Sequence, residues 1–271
     1  MGRDRQWRGG PVVLLALASV GSSAAETRTI VTNAVRFHDA PTWLGEKRLE
    51  RAVTPIEDVL EWRIRRIDAF RHENLDAFQA QGSLGFGPVA FFRRKDGTIH
   101  LGPKVTDDNF DRIFGHELVH AIFWQKYRGA IPVWLEEGLA NYLGRSSRPD
   151  YRWLARQPRT PITKLVHPDK DESGARYHYE ASTAAIAMIA AKCSLRDLLQ
   201  LSVGRKMTTY LATYCEIRDV DAAFDAWLTA QAAAVAPTGG AERSAPAPAP
   251  ADAPWWKKPK EKSWWERRSG S

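Results

Sequence analysis

Cysteine is scarce in this chain of 271 residues: only Cys193 and Cys215 occur. Neither has the spacing of a cysteine zinc knuckle. Two readings remain for them, a single disulfide or a pair of buried thiols. A disulfide here would close a loop of about 20 residues and be worth roughly 3 kcal/mol. Long apolar runs are scarce too. PVVLLALASV (11–20) is too short to span a bilayer, and no later segment is long and apolar enough to do so. There is no internal repeat. A concentrated charge is also missing from the middle of the chain. Of the net +7, the first 25 residues carry +2 and residues 236–271 carry +3, which leaves +2 for residues 26–235. A basic balance carried by the chain ends does not mark a nucleic-acid-binding fold. No nucleic-acid partner is expected.

What is present is ordinary globular composition, 44% hydrophobic and 26% charged, enough for one sizeable core. The two ends differ from the middle. Residues 1–25 read as a secretory signal: a basic start (MGRDRQWRGG), the short apolar run, then Ser23 and Ala25 at the −3 and −1 positions before Glu26. An uncleaved anchor is the other reading. No cysteine follows the apolar run, so a lipoprotein signal is not expected. The mature protein is expected to be exported, periplasmic or secreted, where disulfides are permitted. From residue 236 the chain is Ala/Pro-rich and predicted disordered. It ends in WWKKPKEKSWWERRSGS, with two Trp pairs and, over residues 236–271, seven basic side chains. Such a tail suits an anionic membrane surface, a cell-wall polymer or another partner, or is simply solvated. Residues 26–235 are the expected folded domain.

Within that domain, residues 27–40 read as a strand or strand pair, and 46–64 as a helix that Pro55 kinks or divides. Residues 66–72 read as a strand and 73–81 as a short helix. Residues 88–103 form the clearest hairpin signal, with the turn at KDG. Thr106 looks like the N-cap of a helix running to about Tyr127, which RGA ends. Pro132 opens a further helix that Gly144 closes. Residues 146–161 read as a loop or irregular link. Residues 178–193 read as a buried Ala-rich helix, and SLRDLLQLSV and DAAFDAWLTAQ as amphipathic helices. Strands with early helices followed by helices alone predict an α+β fold: a small mixed sheet with one central helix, packed on a mainly helical C-terminal lobe.

That central helix carries FGHELVHAIF (114–123). His116 and His120 are one turn apart and project from one face. Their imidazoles can meet one ion, and zinc takes neutral imidazole at about 2.0–2.1 Å in a tetrahedral set. Glu117 projects about 100° round and can reach a water on the metal without ligating it. The alternative is a helix that happens to carry two histidines and an acid. The flanking Phe110, Ile113, Phe114, Leu118, Val119, Ile122 and Phe123 make the helix apolar, and two unsatisfied imidazoles there would be costly. A catalytic zinc needs a third protein ligand and an open position. WLEEGLANY offers Glu136 and Glu137.

HELVH followed by PVWLEEGLANYL resembles the gluzincin zinc metallopeptidases, in particular small exported peptidase-MA-like proteins with Trp-Leu-x-Glu-Gly-x-Ala. The likeness covers roughly residues 88–230, less clearly the N-terminal part, and implies a zincin-like fold. It implies Glu137 as third ligand, with sixteen residues between it and His120, and Glu136 in the variable place as a surface or rim acid. It implies Asn141, where relatives often carry an acid, as the group orienting the first histidine. It implies Tyr179, three residues before Ser182 in ARYHYEAST, as the oxyanion-stabilising group, although Tyr179 also reads as a core aromatic. It implies that GTIHLGP is the edge strand pairing with an extended peptide substrate, with His100 a strand residue and not a ligand. The expected activity is hydrolysis of internal bonds of peptides or proteins with Zn2+ as cofactor, His116, His120 and Glu137 as ligands, and Glu117 as general base. The Gly-x-Met-Glu-Asn signature of aminopeptidase relatives is missing, which argues against that specificity. The rival expectation is a non-catalytic, zinc-stabilised binding module of the cell envelope. A third is an enzyme acting on amide bonds of wall peptides.

Overall fold

The computed structural model describes residues 28–82, 89–144, 148–166, 172–202 and 207–234. The expected signal at 1–25 and the Trp-rich tail from 236 lie outside the described residues.

Alternation decides the sheet. In β2 (Val35–His38) and β3 (Ile67–Arg71), Val35, Phe37, Ile67 and Ala69 point to one side and are buried. Ala90 in β4 (Ala90–Arg93), and Ile99 and Leu101 in β5 (Thr98–Leu101), join them. With β1 (Ile30–Val31) the sheet order is β1-β2-β3-β5-β4. β2–β3 and β3–β5 are parallel; β1–β2 and β4–β5 are antiparallel. The fold is α+β, with a small mixed sheet.

Two helices cover the buried face. α1 (Glu46–Leu60) presents Leu49, Val53, Ile56 and Leu60 to the core. Pro55 lies inside it without dividing it, and the helix ends earlier than expected, at a left-handed Glu61. Burial of the apolar stripe on both sides of the proline holds the two halves as one helix, offsetting a local cost of about 3 kcal/mol. After the short α2 (Leu75–Gln79), α3 (Phe110–Tyr127) is the central helix, with Phe110, Phe114, Leu118 and Ile122 fully buried. Its N-cap position is Asn109 and not Thr106. Asn109 Oδ1 accepts from the Thr106 N–H, so the residues between form a closed turn before the helix begins.

α4 (Val133–Leu143) packs back on α3 after the break at Arg128 and Gly129. The two helices touch through glycines. A Cβ on Gly115 would lie 3.2 Å from the Gly144 Cα, and one on Gly144 would lie 2.8 Å from the His116 nitrogen. This close approach puts α4 within ligand distance of the histidines. Beyond it the chain is helical: α5 (Tyr151–Ala155), a 3-10 turn at Ile162–Lys164, α6 (Glu172–Ala190), α7 (Leu195–Ser202), α8 (Met207–Tyr214) and α9 (Val220–Ala234). The expected link after Gly144 thus contains a helix, capped by Asp150, whose carboxylate accepts from the Trp153 N–H. α6 starts before the expected residue 178, so Tyr179 sits in its second turn.

The cysteines pair. Cys193, just past α6, and Cys215, just past α8, form a disulfide with Cα atoms 5.2 Å apart. It ties the end of α6 to the terminal helices. A Cys193→Ala/Cys215→Ala double variant is expected to lose about 3 kcal/mol, read as a fall in the urea midpoint with a somewhat steeper slope, because the uncrosslinked unfolded chain exposes more surface. An unshifted midpoint would show that the crosslink does not constrain the unfolded chain.

Candidate metal centre

α3 presents His116 and His120 one turn apart, and α4 presents Glu137 to both. The two Nε2 atoms are 3.1 Å apart. Glu137 Oε2 lies 3.5 Å from His116 Nε2 and 3.6 Å from His120 Nε2. These three form the one group of metal-ligating side chains among the described residues. Tetrahedral bonds of 2.0–2.1 Å place neighbouring ligand atoms about 3.3 Å apart, close to the separations seen.

The far nitrogens of the rings decide what the near ones can do. His116 Nδ1 faces Asn141 Oδ1 at 2.9 Å, and His120 Nδ1 faces Glu136 Oε1 at 2.8 Å. Both partners are acceptors, so each Nδ1 carries the hydrogen and donates it. A neutral ring then has its lone pair on Nε2. Two lone pairs and a carboxylate oxygen converge on one point, an arrangement that repels itself unless a proton or a metal cation lies among them. The donor set, two imidazoles and one carboxylate, is one that zinc favours. The residues present therefore fit a zinc ion.

The electrostatics point the same way. Burial, helped by the neighbouring His120, lowers the His116 pKa to about 4. Burial also works against a charge on His120, but Glu137, Glu136 and Glu117 carry its pKa well above the usual value. The acids around His120 thus favour a positive charge at this place, which a proton on the ring or a bound cation would supply.

Glu117 stands beside this group and is not part of it. It is 7% exposed. Burial pushes its carboxyl up to about 7, against the lowering influence of His120; Glu137 adds to the rise, and a hydrogen bond from the Phe92 N–H in β4 opposes it. A cleft of about 400 Å³ opens over these residues, with Ala90, His116, Glu117, Asn141 and Tyr179 in its walls. The Tyr179 ring centre is 6.2 Å from that of His116, and burial raises its hydroxyl pKa above the usual value. Tyr179 thus lines the cleft. Ser182 does not: it is fully buried where α6 meets α4. Tyr177 bonds the backbone of Thr160 instead, and His178 is buried.

Two expectations need correction. Glu136 is no rim acid. It is 5% exposed, and it accepts from His120 and from Arg94, which reaches it at 2.5 Å. Burial acts to raise its carboxyl, and these partners hold it low nonetheless. Because α4 lies so close to α3, both adjacent acids reach His120, one at each ring nitrogen. Nor is GTIHLGP the edge strand. Thr98–Leu101 pairs with β3 on one side and β4 on the other, so its backbone groups are used, and the edge beside the cleft is β4. His100 is a strand residue and no ligand; it bonds His72 and Thr98. Arg94 and the Phe92 N–H were not foreseen, since nothing local in the sequence ties a hairpin residue to α3 or α4.

Fold and site together define an α+β protein with a buried His-His-Glu group at an open cleft. Comparison of the chain with protein-family models, with curated proteins and with solved structures gives no significant match.

Proposed function

We propose that this protein is an exported zinc-dependent metallopeptidase of the gluzincin kind, cleaving internal bonds of peptides or proteins. One observation carries the reading: three lone-pair atoms, His116 Nε2, His120 Nε2 and Glu137 Oε2, converge at a cleft where a further acid, Glu117, stands beside them. A bound zinc would supply Lewis-acid polarisation and lower the pKa of a water. The chain's residues do the rest. Asn141 and Glu136 hold the two rings in the Nδ1–H form. Glu117 accepts the proton from the attacking water and delivers it to the leaving amine. Tyr179 stands on the cleft wall, where its hydroxyl, kept neutral by its raised pKa, can donate to the developing oxyanion. Outward-facing backbone of β4 at Ala90 can align an extended chain. A purely structural zinc site would use the same three ligands but has no role for Glu117.

The test is hydrolysis of N-blocked, internally quenched peptides before and after chelation. Cleavage that disappears with chelator and returns with zinc is the expected result. Cleavage confined to free-amine peptides would overturn the endopeptidase assignment, and no cleavage across a broad peptide set would leave a zinc-stabilised binding module as the better reading.

A further inference from the structure

β4 reaches the metal group twice. Phe92 donates its backbone N–H to Glu117. Arg94, the residue that follows the strand, sends its guanidinium to Glu136 Oε1, and that same oxygen accepts from His120 Nδ1. Ala90 and Phe92 lie on the strand itself, and Arg94 opens the turn that follows it. Ala90 is cleft wall, Phe92 touches the general base, and Arg94 holds the acceptor of a ligand. Arg94 is half exposed at its side chain, whereas Glu136 is buried. A carboxylate that deep is stable only when its charge is matched, and Arg94 matches it from outside while His120 uses it from inside.

The two histidines are supported unequally. His116 donates to a neutral amide, Asn141, and His120 donates to an anion. A carboxylate partner at Nδ1 fixes the ring and raises the basicity of Nε2 more than an amide does. We infer that Arg94 and Glu136 are positioning residues that make His120 the stronger of the two imidazole ligands, so that strand β4, through them, sets how tightly the site holds zinc. This rests on the zinc reading above. It goes beyond it by giving a function to a residue outside the helices that touches neither ligand nor cleft chemistry.

The experiment is a zinc titration of the full chain against a chromophoric chelator, for wild type and four variants. Glu136→Met, which has no acceptor, is expected to bind about 10–100-fold more weakly. Glu136→Gln should recover part of that loss, because its amide oxygen still accepts from Nδ1–H. Arg94→Met should weaken binding by about threefold to tenfold, within the range for outer-shell partners, and Arg94→Lys should recover most of it. The Co2+-substituted absorption spectrum should shift in Glu136→Met and return toward wild type in Glu136→Gln, a pattern that general loss of folding does not give. If Glu136→Met does not fold, the Gln and Arg94 variants carry the test. Wild-type binding with all folded variants within about twofold of it would overturn the inference and leave the zinc reading standing. Wild type that binds no zinc overturns both.

Discussion

Glu117→Gln is expected to retain its metal and to lose peptide turnover by about 10²–10⁴-fold, the usual contribution of a positioned acid–base group. The substitution is close to isosteric. A glutamine oxygen still accepts from the Phe92 N–H, so the bond that β4 makes to this side chain survives. The three converging atoms of His116, His120 and Glu137 are untouched. What disappears is the ability to take a proton and return it. Metal content, thermal midpoint and kcat on one quenched peptide, measured together, separate the roles. Equal turnover in the variant would remove Glu117 from the chemistry; loss of metal would make it part of the metal group.

The second large effect concerns the packing that delivers Glu137. Gly138→Ala is expected to destabilise the protein by about 3 kcal/mol, the upper part of the range for overpacking. A Cβ at this position would lie 2.4 Å from the Ser182 carbonyl oxygen and 2.6 Å from Ile186 Cγ1. The carbonyl belongs to the backbone of α6 and cannot turn aside without breaking that helix. α4 and α6 must therefore move apart, and Glu137, the residue just before Gly138 on α4, moves with them. At about 2–4 °C per kcal/mol for a domain of this size, the melting temperature should fall by about 6–12 °C, with zinc affinity falling alongside it. Gly45→Ala is the control. Nothing lies within 4 Å of the added carbon there, so the only loss expected is the poorer N-cap of α1, about 0.5–1 kcal/mol. A Gly138→Ala variant as stable as wild type would mean that the two helices do not pack this closely.

What the sequence made legible was local. The spacing of His116 and His120 follows from the helical repeat alone, and the α3 helix, the hairpin and the α4 helix all form where periodicity and turn residues place them. Asn141 lies one turn beyond Glu137 and does meet His116. What stayed hidden depends on how elements are stacked. Adjacent acids at 136 and 137 look interchangeable until the Gly115–Gly144 contact sets the distance between α3 and α4. The position of Thr98–Leu101 inside the sheet follows from its pairing with β3, some thirty residues earlier, and no local pattern reports that. α8 and α5 are short, and their residues carry too few periodic positions to announce a helix. The disulfide was one of two open readings because cysteine spacing alone does not fix the approach of α6 and α8.

The central claim is that HELVH and Glu137 together hold a metal, and metal content tests it most directly. Elemental mass spectrometry of the protein purified with zinc available should find about one zinc per chain, as the ligand set requires, and markedly less in a His116→Ala variant prepared in parallel. A wild-type protein that carries no stoichiometric metal, or a variant that carries as much as wild type, would contradict it and leave HELVH as a buried helix with two hydrogen-bonded histidines.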